Sequence, residues 1–138
     1  MKQISVGEFL IRCLAAEGVD MMCGIIDGAH IPMVVHTASY GIRYVNTRHE
    51  EAAAHVAEAY TRIARKPAVV IGNPACGTGN MLAGLVSAHG EGHPVIAIGT
   101  TRSRMRGDPN RGGAWQAADT ESMARPITKC AATIRQWE

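Results

Sequence analysis

Phe9, Leu10, Cys13 and Leu14 recur at helical spacing until Gly18 stops the pattern. Ser5, with Glu8 three residues on, has the spacing of a capping box, so a first helix is expected over about residues 5 to 17. Met21-Met22-Cys23-Gly24-Ile25 is a short apolar run ending at Asp27-Gly28, a strand followed by a turn. A helical stretch follows from about His30 to Ser39. Ile42 to Val45 predicts another strand, and Asn46 or Thr47 starts a long helix through Ala64 that Lys66-Pro67 breaks. Ala68-Val69-Val70-Ile71 and Val95-Ile96-Ala97-Ile98 are unbroken apolar runs, the mark of strands covered on both faces, and Gly77 to His89 reads as a helix between them. Thr100 to Gly113 is polar and rich in Arg and Gly, which predicts a loop at the sheet's edge. Ile127 to Ile134 is expected to return as a final strand.

Strand and helix alternate throughout. The pattern predicts a doubly wound α/β fold, a mainly parallel sheet of about six strands with helices on both faces, in one domain over 1–138. In such sheets ligands bind beyond the carboxyl ends of the strands. Three loops leave strands there: Gly24 to Gly28, Asn46 to Glu50, and Gly72 to Asn80.

Composition narrows the picture. The chain is 46% hydrophobic but only 4% aromatic, so Val, Ile, Leu, Met and Ala must build the core, which suits small-residue helices packed on a sheet. A net charge of +2 makes no strong field for nucleic acid or membrane, and Arg102, Arg104, Arg106 and Arg111 fit a solvated loop. No uncharged run reaches membrane-spanning length. Cys13, Cys23, Cys76 and Cys130 form no CxxC pair and have no His at metal-ligand spacing, so mostly buried, reduced thiols of a cytoplasmic protein are expected. Among the histidines only His49 and His89 stand where acid–base work is conceivable, and surface or packing roles are commoner for both.

Glu50 is the residue that asks for a reason. Counting from it by three, four and seven gives Ala53, Ala54 and Ala57, with Tyr60 and Ala64 beyond; from Glu51 the count gives Ala54, His55, Glu58 and Arg62. Glu51 should face water and Glu50 an apolar surface, where an unpartnered charge is costly. Thr47-Arg48-His49-Glu50 also has the spacing of a capping box, so Glu50 could simply return to the Thr47 N–H. A ligand in a dry pocket is the other reading, and helical counting does not separate the two.

The order Gly24-Ile25-Ile26-Asp27-Gly28, Arg48-His49-Glu50-Glu51-Ala52-Ala53, Ala59-Tyr60-Thr61-Arg62 and Gly77-Thr78-Gly79-Asn80, with Arg125-Pro126-Ile127-Thr128-Lys129 near the end, resembles a known family. It is similar to the N-terminal, pyrimidine-binding domains of thiamine-diphosphate enzymes such as acetolactate synthase and benzoylformate decarboxylase. The resemblance implies that Glu50 hydrogen-bonds the aminopyrimidine ring nitrogen and favours the imino tautomer that removes the thiazolium proton. It also implies cofactor-lining roles for Ile26 and Asp27, where relatives often carry Pro-Gly, for Cys76, Gly77 and Asn80, and for Gln116, where synthases often show Phe-Gln-Glu. The Gly-Thr-Gly-Asn form leans toward the decarboxylase-like branch.

Further expectations follow from the same resemblance. The Gly-Asp-Gly to Asn motif that holds the diphosphate through Mg²⁺ is missing, and Gly107-Asp108-Pro109 does not replace it. The chain should therefore need a diphosphate-binding domain or subunit, be inactive alone, form a dimer or tetramer, and act on a small 2-oxo acid. FAD is compatible with the synthase likeness. The alternative is a flavodoxin-like binding or regulatory module without catalysis, in which an acid on an apolar face would have no task.

Overall fold

The computed structural model describes residues 3–101 and 115–134. Ser5 caps the first helix, α1 (Val6–Ala16), its Oγ accepting from the Glu8 N–H at 3.0 Å. The apolar run after it is β1 (Met21–Gly24), buried at every position. The expected helical stretch from His30 is shorter than its pattern: one turn, α2 (Ile31–Val34), and a 3₁₀ turn at Ala38–Tyr40. There follow β2 (Arg43–Asn46), α3 (Glu50–Ala64), β3 (Ala68–Gly72), α4 (Cys76–Glu91) and β4 (Val95–Gly99), then α5 (Thr120–Ala124), which runs into a 3₁₀ turn at Arg125–Ile127.

The four strands lie in the order β2-β1-β3-β4, each pair parallel. The α/β doubly wound class stands; the strand number does not, since four strands are found among the described residues against about six expected. No strand occurs in 127–134. Pro126 lies in the 3₁₀ turn, Ile127 packs on the core, and the Thr128 hydroxyl donates to the Ala124 carbonyl at 2.9 Å, a local bond that competes with any ladder. The expected Arg-rich loop lies largely outside the described residues, Arg102, Arg104, Arg106 and Arg111 included.

Period-two alternation along β1 and β3 divides the core. Met21, Cys23, Ala68 and Val70 face α3 and α4, where Ala53, Ala54, Ala57, Met81 and Leu85 meet them. Met22, Val69 and Ile71 face the other way, against Ile11 and Leu14 of α1 and Met33 of α2. Helices thus cover both faces. The alanine stripe of α3 lets α4 come close: a Cβ on Gly84 would lie 2.7 Å from the Ala54 Cβ and 2.8 Å from the Glu51 carbonyl oxygen.

The cysteines depart from expectation. Cys23 is buried, and burial pushes its thiol up to about 12; Cys13, Cys76 and Cys130 are exposed, and all four are free. Among the described residues no helix is long and apolar enough to cross a membrane.

Candidate functional site at the carboxyl edge of the sheet

Because β2 and β3 flank β1 on opposite sides, the chain reverses its direction of winding between β1 and β3. That is where a doubly wound sheet opens a crevice. The loops after β1, β2 and β3 converge there. The Thr47 N–H donates to the Gly24 carbonyl at 3.0 Å, joining the first two.

Glu50 is the first residue of α3, and the residue before it does the capping. His49 is extended (φ −153°, ψ 144°) and its Nδ1 accepts from the Glu51 N–H at 3.3 Å, while the Thr47 hydroxyl donates to the His49 carbonyl. The Thr47–Glu50 capping box therefore does not form: Glu50 sits at the first helical position, not the third. Its carboxylate is released for other work. Glu50 is 5% exposed, on the same flank as the fully buried Ala53, Ala54 and Ala57, whereas Glu51 is exposed as its count predicts.

The partner of that carboxylate comes from α4. Asn80 Nδ2 donates to Glu50 Oε2 at 3.0 Å. Oε1 has no hydrogen bond among the described residues and faces Gly77, where a Cβ would lie 2.6 Å from Oε1 and 2.9 Å from the Asn73 Cβ. Only hydrogen fits at that position. The approach depends on the turn before α4. Ala75 has φ 51° and ψ −69°, and the Cys76 N–H donates to the Pro74 carbonyl at 2.7 Å, a γ-turn of the rare strained kind. Asn73 Oδ1 is buried beside this turn without a hydrogen-bond partner among the described residues.

His30 ties the first loop to the third. It is wholly buried, with Nε2 3.2 Å from the Gly72 carbonyl and Nδ1 3.3 Å from the Asp27 N–H. The Gly72 carbonyl can only accept, which puts a proton on Nε2, while Nδ1 also lies 3.1 Å from Asp27 Oδ1. Burial pushes its pKa below the usual histidine range, although the Asp27 and Glu50 carboxylates and the Gly72 carbonyl pull the other way. Asp27 completes the clamp by accepting from the Ala29 N–H at 2.9 Å.

The structure thus brings Glu50, Gly77 and Asn80 into one group, with Asp27 joined through His30. Ile26 and Cys76 are exposed on the β1 loop and at the first turn of α4. Gln116 belongs to a separate segment, a turn at φ 62° leading to α5. That segment covers the start of α4, since a Cβ on Gly79 would lie 3.4 Å from the Met123 Cε.

Two residues carried no recognisable pattern. His30 is one; its signal was the Asp27-x-x-His30 spacing ahead of Pro32, a helix entry. Glu58 is the other. Counting from Glu51 puts it on a polar face, yet it is 5% exposed, and it shares a stripe with Ala54 and Thr61. Burial pushes its pKa up, but the Ser87 hydroxyl, His55, His93 and the Arg62 charge outweigh that and hold it below the usual carboxylate range.

Residues 4–123 match the family model described as the thiamine pyrophosphate enzyme, N-terminal TPP binding domain. The chain belongs to this family. A probable acetolactate synthase large subunit of Methanococcus aeolicus is 32% identical over 123 residues, covering 88% of this chain and 20% of that protein. The acetolactate synthase large subunit of Haemophilus influenzae is 30% identical over 141 residues, 100% of this chain and 24% of that protein. A probable 2-ketoarginine decarboxylase of Pseudomonas aeruginosa is 30% identical over 128 residues, 92% of this chain and 23% of that protein. The chain therefore spans about a fifth to a quarter of the length of these curated relatives.

Proposed function

We propose that the chain supplies the pyrimidine-binding half of a thiamine-diphosphate enzyme that acts on a small 2-oxo acid, as a decarboxylase or an acetolactate-synthase-like transferase. The observation that carries this is the Glu50 carboxylate: nearly buried, held at one oxygen by Asn80, and packed at the other against Gly77 with no hydrogen bond among the described residues. The family match and the names of the relatives support the cofactor and the reaction class.

The residues present fit a flat heterocycle with a ring nitrogen. Gly77 lets Glu50 Oε1 lie close against the α4 backbone, where a Cβ would collide with it, and that oxygen accepts no hydrogen bond among the described residues. When bound, thiamine diphosphate supplies an electron sink for the carbanion left as a 2-oxo acid loses its carboxyl group. Glu50 shares a proton with the ring nitrogen through Oε1. Asn80 fixes Oε2 and so sets the direction of Oε1. The alanines behind Glu50 keep water from competing for that proton. In this reading Ile26, Asp27, Cys76 and Gln116 line the approach.

No residue of this chain is assigned to Mg²⁺ or FAD; Mg²⁺ would hold the diphosphate on a partner domain or subunit. The assembled enzyme is a cytoplasmic dimer or tetramer, and residues 1–138 are one domain of it. An inert flavodoxin-like module would have no use for an acid at position 50, and one experiment separates the two readings. The chain is combined with its diphosphate-binding partner, Mg²⁺ and thiamine diphosphate, and loss of the cofactor C2 proton is followed by hydrogen–deuterium exchange. Glu50→Gln should slow that exchange by about tenfold or more; an unchanged rate sinks the assignment.

A further inference from the structure

A second cluster of ionisable groups lies away from the crevice, on the flank where α3 meets the end of α4. Glu58 stands eight residues along α3 from Glu50, about 12 Å by helical rise. Its buried carboxylate accepts from the Ser87 hydroxyl through Oε1 at 2.9 Å. Two imidazoles attend it: His93 Nδ1 is 3.4 Å from Oε1, and His55 Nδ1 is 3.5 Å from Oε2. Glu91 adds a second carboxylate, 3.8 Å from His93 Nε2 and bound by Arg62 at 2.6 Å. One ligand atom from each of Glu58, Glu91 and His93 lies within 4.8 Å of the other two.

From this arrangement we propose that Glu58 and His93, through its Nδ1, with Glu91 turned in from the Nε2 side, form a binding site for a divalent transition-series cation of the zinc type. His93 Nδ1 is buried and has no hydrogen-bond partner among the described residues, although a carboxylate oxygen stands 3.4 Å away. That separation is longer than a good N–H···O bond, usually about 2.7–3.2 Å. It matches the edge of a tetrahedron whose corners lie about 2.0–2.1 Å from its centre, which is roughly 3.4 Å. The backbone directs the ring there. Gly92 closes α4 in the left-handed region (φ 72°), and the His93 N–H returns to the Ala88 carbonyl at 2.8 Å, turning the imidazole back toward α3.

The donor set selects the class of ion. An imidazole nitrogen with carboxylate oxygens suits zinc and its transition-metal neighbours, whereas Mg²⁺ and Ca²⁺ prefer oxygen alone. Ser87 and Arg62 occupy the positions of outer partners that orient the ligating carboxylates. The bound cation would clip α3 to the α4–β4 connection. His55 is more exposed than His93 and is the nearest candidate for a fourth ligand.

The full chain, stripped of metal, is titrated with zinc chloride by calorimetry, and its unfolding temperature is recorded with and without one equivalent. One Zn²⁺ per chain and a raised unfolding temperature are expected in the wild type. In His93→Gln the affinity should fall by at least about tenfold, and the temperature shift should vanish. Glu58→Gln, which keeps the acceptor for Ser87, should do the same; if it does not fold, the His93 variant decides alone. Absence of stoichiometric binding overturns the proposal. So does unchanged affinity in His93→Gln, or binding that is lost on alkylating the exposed thiols of Cys13, Cys76 and Cys130.

Discussion

Asn80 on the first turns of α4 donates to Glu50 on the first turn of α3 at 3.0 Å, so an exposed amide holds a buried carboxylate across 30 residues of sequence. The contact orients the acid and satisfies its buried charge. Asn80→Ala should therefore cost about 1–3 kcal/mol of stability, because a nearly buried carboxylate loses its donor, and should slow cofactor C2-proton exchange by about tenfold in the assembled enzyme. Asn80→Asp should slow it further, because a second carboxylate then faces the first. Exchange rates and urea curves for both variants check this.

Gly77 is where function and packing meet. A methyl group there would overlap Glu50 Oε1 and press on Asn73. Gly77→Ala should cost about 1–3 kcal/mol of stability, the usual penalty of overpacking, and weaken thiamine diphosphate binding to the assembled enzyme. Chemical denaturation and cofactor titration measure the two effects separately. Unchanged cofactor affinity would place the ring elsewhere.

His30 gives the fold a predictable response to acid. Its folded pKa lies below the ordinary value of 6.5 because burial disfavours the imidazolium, more than Asp27, the Gly72 carbonyl and Glu50 can offset. Below about pH 6.5 the unfolded chain binds a proton that the folded chain refuses. The stability from this difference is present above that pH and is lost as pH falls through the folded value. Unfolding free energy should therefore drop more steeply from about pH 7 to 5 in the wild type than in His30→Gln, which keeps a donor for Gly72. Equal slopes in urea titrations would refute it.

The sheet was legible because Ala68-Val69-Val70-Ile71 is covered on both faces, so no polar residue interrupts it. Residues 127–134 misled: Thr128, Thr133 and Ile134 read as β-formers, yet Thr128 spends its hydroxyl on a local carbonyl. The apolar placing of Glu50 was also legible, as a count along α3. Its freedom from capping was not, since that turned on His49 adopting an extended backbone and taking the cap itself. Glu58 was hidden for a different reason. Its neighbours in the count, His55 and Arg62, are exposed, and Ser87 and His93, brought from α4 and the turn after it, reach it from another element. Residues that owe their surroundings to another element leave no periodic trace in their own.

Ala75 shows what holding this crevice open requires of the chain. A backbone at φ 51° and ψ −69° costs an alanine on the order of 1–3 kcal/mol, and glycine would adopt it freely. Ala75→Gly should relieve part of that cost while loosening the hinge between β3 and α4, seen as faster amide exchange at Cys76 and Gly77 with little gain in melting temperature. The domain keeps a tensioned link where a slack one was available. Helix α4 is thereby aimed as well as attached, and the acid it grips inherits a fixed bearing.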